Sequence, residues 1–130
     1  ITKQPKIYFV DTGLRNIIAK KFDIENNGKL FENYVLSELI KIGFYPKYWR
    51  TKAKAEVDFV IEKDSEIIPI EVKLDSSNKI VRSLHAFIKT YKPKQALVIS
   101  YKEPRIKEIK INGCKIIFTN VLDMRNYCLN

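Results

Sequence analysis

The most regular apolar pattern in the chain lies between positions 29 and 42. Apolar residues recur there every three or four positions, the spacing that gives a helix one buried face. The pattern predicts a helix from Lys29 to Ile42 that ends at Gly43. Asn33 and Ser37 fall on the side opposite the apolar face. Glu32 falls near the middle of the apolar face, where a carboxylate is costly unless it is paired or bound to a cation.

Three strand patterns follow this helix. Lys47–Thr51, Glu56–Glu62 and Glu66–Lys73 have the alternating composition of half-buried strands, and the last two are joined by a hairpin turn at Lys63–Ser65. Because side chains alternate between the faces of a strand, Asp58 lies opposite the apolar set of its strand. The predicted apolar set comprises Val57, Phe59 and Ile61 on the second strand and Ile68, Ile70 and Val72 on the third.

A second helical pattern runs from Lys79 to Tyr91 and is ended by Pro93. Its predicted buried positions are Ile80, Leu84, Phe87, Ile88 and Tyr91, and its predicted outward positions are Arg82 and Lys89. Gln95–Ser100 is almost wholly apolar, which is typical of an interior parallel strand.

The two ends of the chain add smaller elements. Lys6–Val10 is predicted to be a strand, followed by a short helix that includes Leu14 and Ile17. Lys115–Phe118 is predicted to be another strand, and Thr119 or Asn120 would cap a last short helix. The elements together predict an α/β fold, a mixed central sheet flanked by helices, over residues 1–130 as one domain.

The charge balance favours a polyanionic partner. Lysine and arginine number 24 against 15 acidic residues, which gives a net charge of +9. Such a surplus favours nucleic acids, since contacts with phosphates release counterions. A solvated, lysine-rich surface is the alternative interpretation.

The composition excludes several kinds of site. Cys114 and Cys128 are too few for a disulfide framework and indicate reduced thiols in a cytoplasmic protein. A single histidine, His85, excludes a histidine-rich zinc site and makes a poor catalytic candidate without partners. No apolar run approaches the length of a membrane span. A metal would therefore need carboxylate ligands, which points to Mg²⁺ with Mn²⁺ as a substitute. Because the sequence begins with Ile1, we expect it to be part of a longer protein.

Asp58, Glu71 and Lys73 are the strongest candidates for chemistry. A period of two places Glu71 and Lys73 on one side of their strand, and a hairpin register can bring Asp58 beside them. Two neighbouring carboxylates repel each other unless a cation lies between them. Mg²⁺ held there would polarise a scissile phosphate, and Lys73 would orient the attacking water or stabilise the developing charge.

A second Glu-x-Lys sequence, Glu108-Ile109-Lys110, follows later in the chain. It alternates charge with isoleucine and has no aspartate on a preceding strand. The pattern therefore predicts a surface strand rather than a second site.

The series of Glu32, Val57-Asp58 and Glu71-Val72-Lys73 resembles the PD-(D/E)XK nuclease superfamily, which includes restriction endonucleases and archaeal Holliday-junction resolvases. More closely, three stretches are similar to the C-terminal domain of archaeal-type AAA+ ATPases found in prokaryotes. Those stretches are IYFVDTGLR at 7–15, GKLFEN at 28–33 and EVDFV at 56–60.

The resemblance implies a restriction-endonuclease-like fold, with an αβββαβ core, and Mg²⁺-dependent cleavage of DNA. It implies that Asp58 and Glu71 are metal ligands, that Lys73 is the catalytic lysine, and that Glu32 completes the acidic cluster. Val57 stands where the superfamily pattern has proline. For Glu32, the alternative is a helix-start acid whose side chain reaches water.

Basic residues near this cluster are candidate contacts for DNA phosphates. They are Arg50, Lys52, Lys54, Lys79 and Arg82. A solvated turn explains Lys52 and Lys54 equally well, and core packing is the alternative for Trp49, which was also considered as a DNA contact.

We therefore predict a DNA endonuclease domain attached to an ATPase. One alternative is a catalytically silent domain that binds DNA or protein, and another is an interaction module whose basic surface meets an acidic partner. A homodimer is expected if both DNA strands are cut.

Overall fold

A computed structural model describes residues 28–75 and 77–129 of the chain. The strand predicted at 6–10 and the helix predicted after it lie outside these residues. The described helices are α1 (Gly28–Lys41), α2 (Arg82–Tyr91) and α3 (Met124–Leu129). The described strands are β1 (Lys47–Arg50), β2 (Glu56–Lys63), β3 (Glu66–Lys73), β4 (Gln95–Ser100), β5 (Glu108–Ile111) and β6 (Cys114–Asn120).

The six strands form one mixed sheet in the order β1-β2-β3-β4-β6-β5. The pairs β1–β2, β2–β3 and β5–β6 are antiparallel, whereas β4 is parallel to both β3 and β6. The apolar run of Gln95–Ser100 is therefore an interior parallel strand, as predicted, because both of its neighbours and both of its faces are covered.

Helices cover both faces of this sheet. Leu97 and Ile99 of β4 belong to one buried cluster with Phe31 of α1 and Met124 of α3. Ala96 and Val98, which alternate with them, belong to a second cluster with Leu84 and Ile88 of α2. The protein is thus a mixed α/β fold, and the predicted fold class is confirmed at this level. None of the described helices is long and apolar enough to cross a membrane.

Helix α1 has nearly the predicted bounds but is buried on more than one side. Asn33 and Ser37, which the helical projection placed opposite the apolar face, are both buried, so that part of the prediction was wrong. The projection assumes that the whole side opposite the apolar face is solvated, whereas on this helix only part of that side is exposed, for example at Lys41. Ser37 satisfies its hydroxyl by donating to the Tyr34 carbonyl at 2.8 Å.

Helix α2 begins at Arg82, three residues later than the predicted Lys79. Residues before it are held in other contacts: the Lys79 carbonyl accepts a bond from the Lys73 ammonium, and the Asn78 amide donates to the Ile106 carbonyl at 3.1 Å. Val81 is extended and caps the helix without a side-chain bond. Tertiary contacts therefore override the local helical pattern here.

The prediction that Tyr91 is buried was also wrong. The side chain is 48% exposed, since it packs on Trp49 of β1, which is an edge strand of the sheet formed by the described residues. The outward positions Arg82 and Lys89 are exposed as predicted.

The C-terminal elements follow the prediction with small extensions. Glu108–Ile111 is an edge strand with exposed glutamate and lysine, as predicted. Lys115–Phe118 lies within the longer β6. Asn120, rather than Thr119, starts the turn towards α3, because its Oδ1 accepts bonds from the backbone N–H groups of Leu122 and Asp123, each at 2.9 Å.

The β2–β3 hairpin turns through two residues, Asp64 and Ser65, with φ of 51° and 65°. Two successive positive φ values are typical of the type I′ turn, whose twist matches that of the flanking strands. The turn fixes the register that begins with Lys63 opposite Glu66 and continues to Phe59 opposite Ile70.

Candidate active site

The candidate site lies where β2 and β3 reach the open end of their hairpin. Asp58 is the residue before Phe59, with which the described register of paired residues ends. Its Oδ2 accepts a hydrogen bond from the backbone N–H of Val72 at 2.8 Å. The aspartate carboxylate is therefore held against the backbone between Glu71 and Lys73, as the sequence predicted.

Glu71 lies in the interior of the sheet, in register with Val98 of the parallel strand β4. Its Oε2 atom is fully buried and has no hydrogen-bond partner among the described residues. The pKa of this carboxyl is raised from 4.5 to about 8, mainly because burial penalises the charged form. The negative charge of Asp58 is the second cause, Lys73 opposes the shift, and Glu32 and Glu56 add smaller contributions to it. A carboxylate in this position lacks a positive partner strong enough to offset its burial.

Lys73 follows two residues later and lies beside Ser100 of β4. Its ammonium donates to the carbonyl of Lys79, in the segment that leads into α2. The lysine therefore ties the end of β3 to that segment while acting electrostatically on Glu71.

Two further carboxylates act on Glu71 from other elements. Glu32 lies in the first half of α1 and is half-buried, which fits neither a solvated helix-start acid nor a fully buried one. Glu56 lies two residues before Asp58 and forms an ion pair with Arg50 at 3.0 Å. Glu56 was not among the site residues predicted from the sequence. The signal was present, since a period of two places Glu56 and Asp58 on the same side of β2.

The carboxylates of Asp58 and Glu71 are the residues of this cluster that could supply oxygen ligands to a small hard cation. In the described part of the chain, no group of three or more His, Cys, Asp or Glu side chains is arranged to hold a metal ion. Mg²⁺ is commonly bound by one or two carboxylates, with waters and phosphate oxygens as the remaining ligands. Asp58 and Glu71 are such a pair, and the buried Oε2 of Glu71 is the atom that a cation would satisfy.

The candidate DNA contacts differ in how they are connected to this cluster. Arg50 is joined to it through Glu56, and Lys79 through the bond that its carbonyl accepts from Lys73. Lys52 and Lys54 are exposed in the turn between β1 and β2, and Arg82 is exposed at the first position of α2.

The remaining candidates of the sequence are one histidine and two cysteines. His85 is exposed on α2. Cys114 and Cys128 are free, buried thiols, and burial raises the pKa of each to about 11. Both features are typical of structural cysteines.

The fold and the site define a mixed α/β domain with an acidic cluster and a lysine at the open end of a central hairpin. The chain belongs to the family described as "Domain of unknown function (DUF4143)", whose model matches residues 27–119. It is 34% identical over 93 residues to the uncharacterized proteins Mb2031c of Mycobacterium bovis and Rv2008c of Mycobacterium tuberculosis. These matches cover 65% of this chain, and the chain spans about a fifth (21%) of the length of these relatives.

Proposed function

We propose that this domain is a Mg²⁺-dependent DNA endonuclease of the PD-(D/E)XK type, with a restriction-endonuclease-like arrangement of its sheet. Asp58 and Glu71 would hold the metal, Lys73 would act at the reacting phosphate, and Glu32 would complete the acidic cluster. Arg50, Lys52, Lys54, Lys79 and Arg82 would contact phosphates of the DNA.

The observation that carries this proposal is the environment of Glu71. A structural glutamate would be expected to have its buried oxygen paired, since an unsatisfied buried polar group costs about 1–3 kcal/mol. Instead Oε2 has no hydrogen-bond partner in the described residues, and the carboxylate of Asp58 lies close enough to raise the pKa of Glu71. Perturbed carboxyls of this kind cluster at functional sites.

Asp58 and Lys73 would each have a separate role in the reaction. When bound, Mg²⁺ supplies positive charge to the phosphate and lowers the pKa of a water. The Val72 N–H orients the Asp58 carboxylate at 2.8 Å, so this ligand is positioned before anything binds. Lys73 carries the positive charge nearest to Glu71 along the strand, and its ammonium would stabilise negative charge that develops on the phosphate.

The longer protein is part of the proposal. We infer that the domain is joined to an AAA+ ATPase, on the strength of the sequence resemblance. The match to relatives of which the chain covers about a fifth agrees with a domain that works within a larger protein.

Cleavage of plasmid and branched DNA with Mn²⁺ tests the proposal. The wild-type protein is expected to cut, and Asp58→Ala and Lys73→Ala are expected to have lost the activity. Lys110→Ala removes an exposed lysine from the second Glu-x-Lys sequence and should cut like the wild type. Equal cutting by all four proteins would indicate a contaminant and would refute the site.

A second candidate function is binding without turnover, and one contact favours it. The Lys73 ammonium is already engaged by the Lys79 carbonyl, as a purely structural lysine would be. A silent domain should bind DNA but show neither cleavage nor any rise in melting temperature with Mg²⁺ or Mn²⁺. If its basic surface instead meets an acidic protein, DNA binding should be weak at every salt concentration.

A further inference from the structure

Two loops leave the sheet side by side at the carboxyl ends of the parallel strands β3 and β4. Lys73, the last residue of β3, is in register with Ser100, the last residue of β4. The Tyr101 N–H donates to the Lys73 carbonyl at 3.1 Å, so the loop after β4 begins directly beside the proposed catalytic lysine. In open α/β sheets, ligands often bind in the crevice outside the carboxyl ends of the strands. A ligand held between these two loops would therefore lie next to Lys73.

A polar cavity of about 430 Å³ lies at these two loops. The residues that line it come from both loops and are Asp75, Ser77, Asn78 and Arg105. The Asn78 Nδ2 donates to the Ile106 carbonyl at 3.1 Å, and this bond holds the two walls of the cavity together. The Lys73 ammonium donates to the carbonyl of Lys79, the residue after Asn78. The lysine side chain thus reaches the loop that forms one wall of the cavity.

Arg105 is the cation among the side chains that line this cavity. It is exposed and has no hydrogen-bond or ion-pair partner in the described part of the chain. Lys107, two residues later, is instead paired with Glu103. A guanidinium presents its N–H groups as a rigid fork that matches two oxygens of one phosphate. Arg105 is therefore available to an anionic ligand, whereas Lys107 is already engaged.

Asp75 is the carboxylate that lines the cavity, and it is held by its own loop. Its Oδ1 accepts a hydrogen bond from the Ser77 backbone N–H at 3.0 Å. This bond and a second one from the Ser77 hydroxyl lower the pKa of Asp75, and the positive charge of Lys73 lowers it as well. The charge of Asp75 repels an anion, but Lys73 and Arg105 place two positive charges against it. The balance around the cavity is therefore positive.

We propose that this cavity binds a backbone phosphate of the DNA strand, with the Arg105 guanidinium as the group that holds it. The phosphate would be a neighbour of the one at Lys73, so that the strand crosses the carboxyl ends of β3 and β4. Contacts with phosphates fix the register of a nucleic acid on a protein, and Arg105 would thereby determine which phosphate reaches Lys73. The inference deepens the proposed function by naming a phosphate-binding residue, and it rests on that function for the identity of the bound strand.

Binding without metal tests the role of Arg105 separately from cleavage. In EDTA, the anisotropy of a labelled DNA duplex of about 20 base pairs gives the affinity and its dependence on salt. Arg105→Ala should weaken binding about ten-fold and flatten the log–log salt dependence by about one unit, because one phosphate contact is lost. Lys89→Ala removes an exposed lysine from the last turn of α2, which leads to the amino end of β4, and should change neither quantity. Wild-type affinity in Arg105→Ala, or equal losses in the two variants, would overturn the proposal.

Two conservative variants test whether the ligand group is a phosphate. Asp75→Asn keeps an oxygen that accepts the Ser77 N–H but removes the charge that repels an anion, so DNA should bind about two-fold more tightly. Arg105→Lys keeps the charge but loses the fork, so its affinity should fall between those of the wild type and Arg105→Ala. Weaker binding by Asp75→Asn would mean that the carboxylate accepts bonds from a base, and it would overturn the assignment to a phosphate.

Cleavage kinetics separate this inference from the nuclease itself. In Mn²⁺, Arg105→Ala should raise the DNA concentration at half-maximal cleavage about ten-fold with a smaller change in the maximal rate, because the contact is made before and during the reaction. Weakened binding by Arg105→Ala in EDTA, with no cleavage by the wild type, would support the phosphate site and refute the nuclease. Cleavage by Arg105→Ala with the concentration dependence of the wild type would overturn the phosphate site and leave the nuclease standing.

Discussion

The chain contains two Glu-x-Lys sequences on strands, one in the interior of the sheet and one at an exposed edge. Glu71 and Lys73 lie on β3, which is paired on both sides, whereas Glu108 and Lys110 lie on the edge strand β5. Glu108 forms an ion pair with Lys115 at 3.2 Å between side chains that are both about half exposed. Glu71 instead has a buried oxygen without a hydrogen-bond partner in the described residues and a pKa raised to about 8.

The position in the sheet, not the tripeptide, therefore determines the environment of each glutamate. At an exposed edge, water screens the charges and a surface ion pair contributes little. In the interior, the same glutamate is desolvated and meets a second carboxylate from the neighbouring strand. Matched substitutions in the two copies therefore test the proposed site directly.

Cleavage is the measurement in which the two copies should differ most. Glu71→Gln removes a proposed metal ligand and is expected to lower the rate of plasmid nicking in Mn²⁺ on the order of 10³-fold. Glu108→Gln should leave the rate unchanged. Similar rates in the two variants would mean that the β3 copy has no catalytic role.

The second-largest difference between the two Glu-x-Lys sequences should appear in the pH dependence of the unfolding free energy. The folded-state pKa of Glu71 is about 8, above its ordinary value of 4.5, so metal-free folding takes up a proton between these values. Wild-type stability should therefore decline as pH rises from about 4.5 to 8, and Glu71→Gln should escape this decline. Relative to its difference from the wild type at low pH, the variant should gain about 4–5 kcal/mol of unfolding free energy above pH 8, measured by urea unfolding in EDTA.

Glu108→Gln is the control for this titration. Its unfolding free energy should run parallel to that of the wild type across the same pH range. A Glu71→Gln difference that stays constant from about pH 5 to 9 would contradict the raised pKa.

A divalent cation should stabilise only proteins with the β3 copy intact. At Mg²⁺ about ten times its dissociation constant, the wild type should gain about 1.4 kcal/mol, seen as a rise of several degrees in Tm. Glu108→Gln should show the same rise, and Glu71→Gln and Asp58→Asn should show almost none. A rise of equal size in all four proteins would place cation binding elsewhere.

The smallest effect is expected at the edge strand itself. Glu108→Gln breaks the pair with Lys115 and should cost less than about 0.5 kcal/mol of unfolding free energy at neutral pH, because both partners are solvated. High salt should reduce even this difference. A larger loss would mean that the edge copy supports the fold more than its exposure indicates.

Period-two alternation was enough to predict the hairpin and the grouping of Asp58 with Glu71 and Lys73. It was enough because these residues belong to two strands joined by a short turn, so their contact is local in sequence. The role of Glu56 was missed because its partner Arg50 depends on the β1–β2 register. That register shifts at an irregularity between Lys47 and Trp49, which no residue pattern indicates.

The two helix errors have a different origin. The start of α2 was wrong because the Lys79 carbonyl and the Asn78 amide are used by distant groups. Asn33 and Ser37 were predicted on the wrong side because the periodicity of a helix does not show how many of its sides are packed against the rest of the protein. Local periodicity therefore predicts elements well, but their ends and their surroundings depend on tertiary contacts.

The two-residue turn at Asp64 and Ser65 sets the alignment of the proposed catalytic groups from the far end of the hairpin. Inserting a single residue there would slip the pairing by one position and turn Glu71 and Lys73 to the other face of the sheet. Replacing Ser65 with glycine would instead relieve the cost of its positive φ while leaving the alignment intact. A loop remote from the carboxylates thus determines which residues of β2 and β3 lie opposite each other at the other end of the hairpin.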